Sequence, residues 1–395
     1  MRDRIKTLVL DANGFGWKPI VADTIMQGIL GIRDESQLPL WAGKISLLRR
    51  AARQHYEALS YVMDWREELE HAPELDVEVC NINNLLEYKK SQESLLHYPL
   101  VIILHSAAGD SMTLLMRAIR WFQKRRGKVI MFIGNEYDLL DKKIRFIQET
   151  GVEYICSQLP ESAARWLYAE CTSSKLLAMP HALNPRLYHP GQGQERVIEL
   201  GFRGARYPLF IGDTERNDLL DYFQRNAPAL GLKIDFGYKT IRRGEWSNFL
   251  RSCQAVVGAE AGTYYLDKYG RAITAARLYQ RSHPYASSQE IYDRFFKTLS
   301  NYVSGKSISS RHFEPIGTKT CQVLLEGDYN GILKADEHYI KINKDRSNIE
   351  DVIWRLRDED YRRQMVDRTY DYVMQNHTYA HRILRLVQIL EQDGL

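Results

Sequence analysis

The stretch Arg311-His312-Phe313-Glu314-Pro315-Ile316-Gly317-Thr318-Lys319-Thr320-Cys321-Gln322-Val323-Leu324-Leu325-Glu326-Gly327-Asp328 decides the reading of this chain. A short helix carrying a carboxylate stops at a glycine, and an apolar strand follows at once, which is the α-to-β step of an α/β protein. The first turn of such a helix leaves backbone N–H groups unpaired, and these can hold a phosphate. A carboxylate on the same helix can accept from the hydroxyls of a ribose. The chemistry fits a sugar nucleotide. The same connection also serves as plain scaffolding in any α/β protein, so the rest of the chain has to support the assignment.

Outward from this segment, short apolar runs alternate with helical patterns. In the first half the strands are expected at Thr7 to Asp11, Asp76 to Ile82, Leu100 to Ser106, Lys128 to Gly134, Tyr154 to Ser157 and Lys175 to Met179. In the second they are expected at Val197 to Gly201, Leu209 to Gly212, Lys233 to Phe236, Ala255 to Ala259, Cys321 to Leu325 and Tyr339 to Ile342. Near-continuous apolar strands separated by helices imply parallel sheets covered on both faces. The alternation restarts after Pro180-His181-Ala182-Leu183-Asn184-Pro185-Arg186-Leu187-Tyr188-His189-Pro190-Gly191, a segment rich in structure-punctuating residues and the expected hinge. The fold class is therefore α/β, with two Rossmann-like domains over residues 1–190 and 191–378 and a terminal helix over 379–395.

Helices of the second half show apolar stripes at i, i+3, i+4 and i+7. Trp246, Phe249, Leu250 and Cys253 form one, and Ile349, Val352, Ile353 and Leu356 another. These are core faces. The tail from Tyr361 to Gln392 reads as helix interrupted near Asn376-His377-Thr378, with Ile383, Leu386, Val387 and Leu390 on one side awaiting a partner surface. Asp267 to Ser304 is too long for a simple crossover and reads as a helical insertion near the cleft.

Composition narrows the class. With 395 residues and 44% hydrophobic content the chain is long enough for two cores. Its 54 basic and 50 acidic residues leave a net charge of +4, too mild for a protein whose affinity comes from neutralising nucleic-acid phosphates. Cys80, Cys156, Cys171, Cys253 and Cys321 are scattered and contain no C-x-x-C pair, so they read as reduced core residues of a cytoplasmic protein. The opening Met1-Arg2-Asp3-Arg4-Ile5-Lys6 runs straight into a strand, and no apolar run approaches a membrane span of about 20 residues. A basic helix carrying Lys44, Arg49, Arg50 and Arg53 beside Trp41, Ile45 and Leu48, with Lys124-Arg125-Arg126-Gly127-Lys128 further on, suits peripheral contact with anionic lipid; it suits a solvated helix end equally.

Candidate ligand residues fall at the carboxyl ends of the expected strands, where open α/β sheets bind. Gly14-Phe15-Gly16-Trp17 follows the first strand, with two aromatic rings able to stack on a sugar; a tight turn has the same sequence. His105 closes the third strand, and Asn135 and Glu136 follow the fourth, where either could take acceptor hydroxyls. Glu260 and Gly262 hold the matching place in the second half. There is no G-x-S-x-G elbow, no H-E-x-x-H and no D-x-D pair in a metal-binding setting, so neither metal nor cofactor is expected.

Phe313-Glu314 through Thr318 resembles the F-E-A-hydrophobic-G-T segment of GT-B glycosyltransferases of the family-4 type, especially the spore-maturation-protein-like (CgeB-type) subgroup. Pro180 to Gly191 resembles the P-x-G-V-D-P-x-x-F-x-P segment closing their N-terminal domain, with Asn184 for the usual Asp. Gly201-Phe202-Arg203-Gly204-Ala205-Arg206 resembles their G-R-x-x-x-x-K-G phosphate clamp at shorter spacing. The resemblance implies two Rossmann-like domains facing a central cleft, with the last helix crossing back to the first domain. It implies a nucleotide-sugar-dependent hexosyltransferase, retaining, acting in polysaccharide biosynthesis on a glycan, lipid-linked or protein acceptor.

Residue by residue, Glu314 would bind the ribose. Arg203, Arg206 and Arg311, the start of the helix near Ser309, and Gly317, Thr318 and Glu260 would serve the donor. His105 and Glu136 would be the catalytic pair, and the Gly14 to Trp17 loop would meet the acceptor or the phosphates. The family's second acid, eight residues before the ribose glutamate, is here Lys306. A GT-B sugar-nucleotide epimerase and a non-catalytic sugar-binding protein are the alternatives.

Overall fold

The computed structural model describes residues 4–33, 37, 60–239, 241–299 and 302–395. The expected basic helix at Trp41 to Arg53 lies outside the described residues. The chain divides into two compact units. Unit 1 comprises Met1–Ser157, Ala164–Ala178 and Ile383–Leu395, and unit 2 comprises Gln158–Ala163 and Met179–Arg382.

In chain order the first part contains β1 (Ile5–Asp11), α1 (Trp17–Asp23), α2 (Ser60–His71), β2 (Leu75–Asn81), α3 (Leu85–Ser94), β3 (Leu100–Ile103), α4 (Thr113–Arg117), α5 (Ile119–Lys124), β4 (Lys128–Phe132), α6 (Leu140–Thr150), β5 (Tyr154–Ser157), α7 (Glu161–Leu167) and β6 (Lys175–Ala178). The six strands form one parallel sheet in the order β2-β1-β3-β4-β5-β6. β3 and β5 are buried at every position, as strands covered on both faces must be. The order reverses between β1 and β3, so the two strand ends, Asp11 and His105, stand beside the switch point.

Unit 2 contains β7 (Ile198–Arg203), α8 (Glu215–Asn226), β8 (Ile234–Gly237), α9 (Arg243–Ser252), β9 (Cys253–Gly258), β10 (Leu266–Asp267), α10 (Arg271–Ser282), α11 (Ser288–Phe295), β11 (Tyr302–Val303), α12 (Ser310–Gly317), β12 (Cys321–Leu325), β13 (Ile340–Ile342), α13 (Ile349–Arg357), α14 (Glu359–Asn376) and the start of α15 (Tyr379–Gln392). Its sheet is again parallel, in the order β13-β12-β9-β7-β8, and reverses between β7 and β9. One face packs Leu219, Phe223, Val352 and Leu356 against the strands, and the other packs Trp246, Leu250, Phe313 and Ile316. The expected Asp267-to-Ser304 insertion is the pair α10 and α11, closed at its base by the antiparallel β10 and β11.

One expected strand is absent. Leu209–Ile211 is a 3-10 turn, entered from Pro208 and left at Gly212 with φ 73°. Four apolar residues cannot distinguish a strand from a turn packed under another element. Here Thr263 Oγ1 donates to Ile211 O at 2.7 Å and Arg277 lies 4.4 Å from the Phe210 ring, so the insertion covers the turn. The interruption expected at Asn376-His377-Thr378 is present between α14 and α15. The end of α15 belongs to unit 1, where Asp393 accepts from Tyr154 Oη at 2.5 Å and from Lys175 Nζ at 2.5 Å, and its carbonyl accepts from Lys128 Nζ at 2.6 Å. All five cysteines are buried and unpaired.

Candidate functional site

The segments that follow β7, β9, β11 and β13 bring a charged network together in unit 2. Lys306 Nζ lies 2.9 Å from Asp213 Oδ2 and 3.2 Å from Glu215 Oε2. Lys344 Nζ lies 3.0 Å from Glu215 Oε1 and donates to Tyr264 Oη at 2.5 Å. Both ammonium groups flank the Tyr264 ring, at 4.8 and 4.6 Å from its centroid. Asp213 and Glu215 stay near their lysines because they open α8, and Asp213 Oδ1 accepts from Glu215 N at 3.1 Å. The acids raise the Lys306 pKa against the opposing effect of burial, so the amine is held as a cation. An ammonium carries three protons, and each lysine has two of them engaged.

Lys306, Lys344, Tyr264, Glu260, Asp328 and Tyr339 line a cavity of about 780 Å³. Glu260 Oε1 accepts from Tyr329 N at 2.7 Å. Burial raises its pKa, with the N–H groups of Tyr329 and Asp328 opposing. Gly327 packs against it: a Cβ there would stand 2.5 Å from Glu260 Oε2 and push the carboxylate aside. The Tyr339 hydroxyl is buried and finds no acceptor for its proton.

Three residues beyond Lys306, α12 begins with a capping box: the Ser309 hydroxyl accepts from the His312 N–H, and His312 Nδ1 accepts from Ser309 N at 2.9 Å. His312 Nε2 then donates to Ala259 O at 3.1 Å, which ties the helix start to the end of β9 and leaves the ring neutral. Burial lowers its pKa to about 4. On the same helix Glu314 Oε2 accepts from Trp246 Nε1 at 2.6 Å, and Arg311 stacks over Trp246 at 4.3 Å. Arg311 Nη1 lies 3.8 Å from Glu314 Oε2 as an ion pair, and neither it nor Glu314 Oε1 has a hydrogen-bond partner. A buried unmet acceptor beside an unmet donor costs stability unless a ligand completes it.

The other donor candidates are engaged elsewhere. Arg203 is turned to the neighbouring strand, its Nη2 2.6 Å from Asp235 Oδ2 and its Nη1 2.9 Å from Asp235 O. Arg206 is bound to Asp221 by two contacts of 2.6 and 2.5 Å at the surface. Both arginines expected to form the phosphate clamp are thus paired with carboxylates, whereas Lys306, which stands where the family's second acid was expected, lines the cavity together with Lys344. Gly317 is a packing residue: a Cβ would meet Tyr188 O at 2.4 Å. Thr318 Oγ1 donates to Pro315 O at 3.0 Å and closes the end of α12.

In unit 1, Glu136 is buried and accepts from Ser157 Oγ at 2.8 Å and Tyr168 Oη at 2.7 Å through Oε2. Ser157 ends β5 and Tyr168 follows α7, so the carboxylate expected to be catalytic is hydrogen-bonded within its own unit. His105 is buried against Trp65 and Phe132, with ring centroids 5.8 and 5.3 Å away. The Gly14 to Trp17 loop is open: Phe15 is 63% and Trp17 71% exposed. Gly14 O accepts from Asn83 Nδ2 at 3.0 Å, and Ala12 N donates to Ser106 Oγ at 2.9 Å, which joins the two strand ends. Asp11, unmarked in the sequence beyond ending β1, is buried 3.1 Å from Arg66. Burial outweighs the arginine and lifts its pKa to about 6. Among the described residues no group of His, Cys, Asp or Glu is placed to hold a metal, and no helix is long and apolar enough to cross a membrane.

Residues 243–388 match a family model described as glycosyl transferase-like. Among solved structures, HepE of Anabaena in complex with UDP-glucose aligns with TM-score 0.50 and 10% identity over 98% of this chain and 100% of its own. BGT of phage T4 in complex with its UDP-glucose substrate aligns with TM-score 0.50 and 10% identity over 99% of this chain and 100% of its own. No curated protein matches the chain in sequence. At these identities the likeness concerns architecture: two parallel-sheet α/β units of the GT-B fold class.

Proposed function

We propose that this protein is a glycosyltransferase that uses a nucleoside-diphosphate sugar. The observation that carries the reading is the Lys306 ammonium, held as a cation on the wall of the 780 Å³ cavity at the sheet's carboxyl edge, just before the start of α12. The match of residues 243–388 to a glycosyl transferase-like model, which spans that cavity's sheet edge, supports it. So do the UDP-glucose complexes of the two structural relatives.

In this reading the diphosphate takes the remaining proton of Lys306, that of Lys344, and the backbone N–H groups opening α12. Glu314 Oε1 and Arg311 Nη1 receive the ribose. The bond between the anomeric carbon and the phosphate oxygen breaks, and its electron pair leaves on the diphosphate, where the lysines offset the growing charge. The acceptor oxygen forms the new bond to that carbon. For transfer with retention the acceptor proton passes to the departing phosphate oxygen on the same face. The finer reading is a hexose donor, a glycan or lipid-linked acceptor bound at the Gly14 to Trp17 loop, and a role in polysaccharide biosynthesis in the cytoplasm. The exposed Trp17, Val21, Ile25 and Ile29 along one side of α1 and the turn after it favour an acceptor with an apolar tail.

The test is titration calorimetry with UDP, GDP, UDP-glucose and uridine, followed by hydrolysis and transfer assays. Binding of a diphosphate with much weaker binding of uridine is the expected result. Failure of every nucleotide to bind the folded protein would end this reading, and proton NMR of the product's anomeric carbon position decides retention against inversion.

A further inference from the structure

Tyr264, which lines the larger cavity, also borders a second one. Asp213, Glu215, Tyr264, Tyr265, Gln289 and Tyr292 line a separate cavity of about 290 Å³ between the start of α8 and the start of α11. Its lining contains no lysine or arginine, in contrast to the larger cavity. Asp213 and Glu215, the two carboxylates in its lining, are already neutralised by Lys306 and Lys344, which line the larger cavity. What faces the smaller cavity is therefore an uncharged set of phenol rings, hydroxyls and amide groups together with compensated carboxylates. A phosphate or uronate would find no cation there. An uncharged polyol would find acceptors for its hydroxyls and ring faces for its C–H surface.

The aromatic wall is held open by its own packing. Tyr265 is wedged between Phe296 and Tyr292, with centroids 5.1 and 5.8 Å away. Phe296 in turn presses on Gly212, where a Cβ would meet its ring at 2.7 Å. Tyr265 N donates to Thr263 Oγ1 at 3.1 Å, and Thr263 Oγ1 donates to Ile211 O at 2.7 Å. At the rim, Ser287 caps α11 by accepting from Glu290 N at 3.1 Å. Gln289 Nε2 donates to Asp293 Oδ2 at 3.0 Å, which orients the amide and leaves its oxygen as an acceptor.

We propose that this cavity is a second carbohydrate subsite, formed by the α10–α11 insertion, that takes one neutral hexose residue. Its use in catalysis, holding a sugar of a glycan acceptor, rests on the glycosyltransferase reading; the binding itself does not.

Saturation-transfer NMR on the full chain with the methyl glycosides of D-glucose, D-galactose and D-mannose, in the presence and absence of UDP, tests it. Transfer to at least one glycoside, undiminished by saturating UDP, is expected. Tyr292→Ala and Gln289→Ala should each weaken that signal tenfold or more while UDP affinity stays within twofold. Gln289 is exposed, so its variant keeps the fold, and thermal melting of both variants checks this. The inference is overturned if no glycoside receives saturation from the folded protein, or if transfer survives both substitutions. UDP binding without glycoside binding would sink the subsite and leave the donor reading standing; glycoside binding without any nucleotide binding would do the reverse.

Discussion

Lys306 and Asp213 form a 2.9 Å ion pair almost wholly shielded from water, joining the segment before α12 to the segment before α8. Removing one partner of such a pair strands the other charge, which costs about 3–5 kcal/mol. Lys306→Met should therefore lower unfolding free energy by that order in urea titrations. The double variant Lys306→Met with Asp213→Asn should recover a good part of the loss and still fail to bind UDP. Recovery of UDP binding in the double variant would remove Lys306 from the donor site.

Lys344 and Arg206 separate the proposed donor site from the one expected on sequence. Lys344→Ala should weaken UDP binding by about 1.5–3 kcal/mol, the range for a hydrogen bond to a charged group. Arg206→Ala breaks a surface pair with Asp221, worth about 0–1 kcal/mol, and a contact with the Tyr238 ring, and should leave UDP affinity unchanged. Calorimetry on both variants checks the contrast, and the reverse ranking would restore the arginine clamp.

Glu314 should discriminate between sugars of the nucleotide. With Oε2 given to Trp246, only Oε1 remains for a ribose hydroxyl, so UDP should bind better than 2′- or 3′-deoxy-UDP by about 1–3 kcal/mol at one of the two positions. In Glu314→Gln that preference should collapse. A preference that persists in a folded Glu314→Gln protein would leave Glu314 as a helix-packing group only.

His312 makes stability pH-dependent. Its folded pKa, about 4, lies below the ordinary histidine value, so the unfolded chain takes up the proton first. The stability it contributes is complete above about pH 6.5 and is lost as pH falls toward 4. His181, lowered to about 3, and His377, lowered to about 4, add in the same direction. Melting temperature should drop across this window, and less steeply in His312→Gln. An unchanged slope in that variant would mean His312 does not govern it.

Both sheets were legible because buried parallel strands are written as continuous apolar runs, and Leu100–Ile103 or Cys321–Leu325 can be little else between helical patterns. Leu209–Ile211 misled because its apolar side chains serve a turn under the insertion, a tertiary cause with no local mark. The same holds at the site. Glu314 and Glu260 were singled out from their place after a helix start and a strand end, whereas Lys306 meets Asp213 across 93 residues of chain, and Lys344 meets Glu215 from the far end of the same unit. Glu136 was placed correctly at a sheet edge but is claimed by Ser157 and Tyr168, partners invisible in a linear reading.

The Asp393 anchor bears on how the chain is made. Its three partners, Lys128, Tyr154 and Lys175, leave the ribosome well before the segment that carries Asp393 exists. The intervening 200 or so residues take roughly 10–40 s to synthesise at 5–20 residues per second. During that interval the nascent first unit has an open apolar edge where Ile383, Leu386, Val387 and Leu390 will later lie. Chaperone occupancy on translating ribosomes should accordingly last until the final helix emerges.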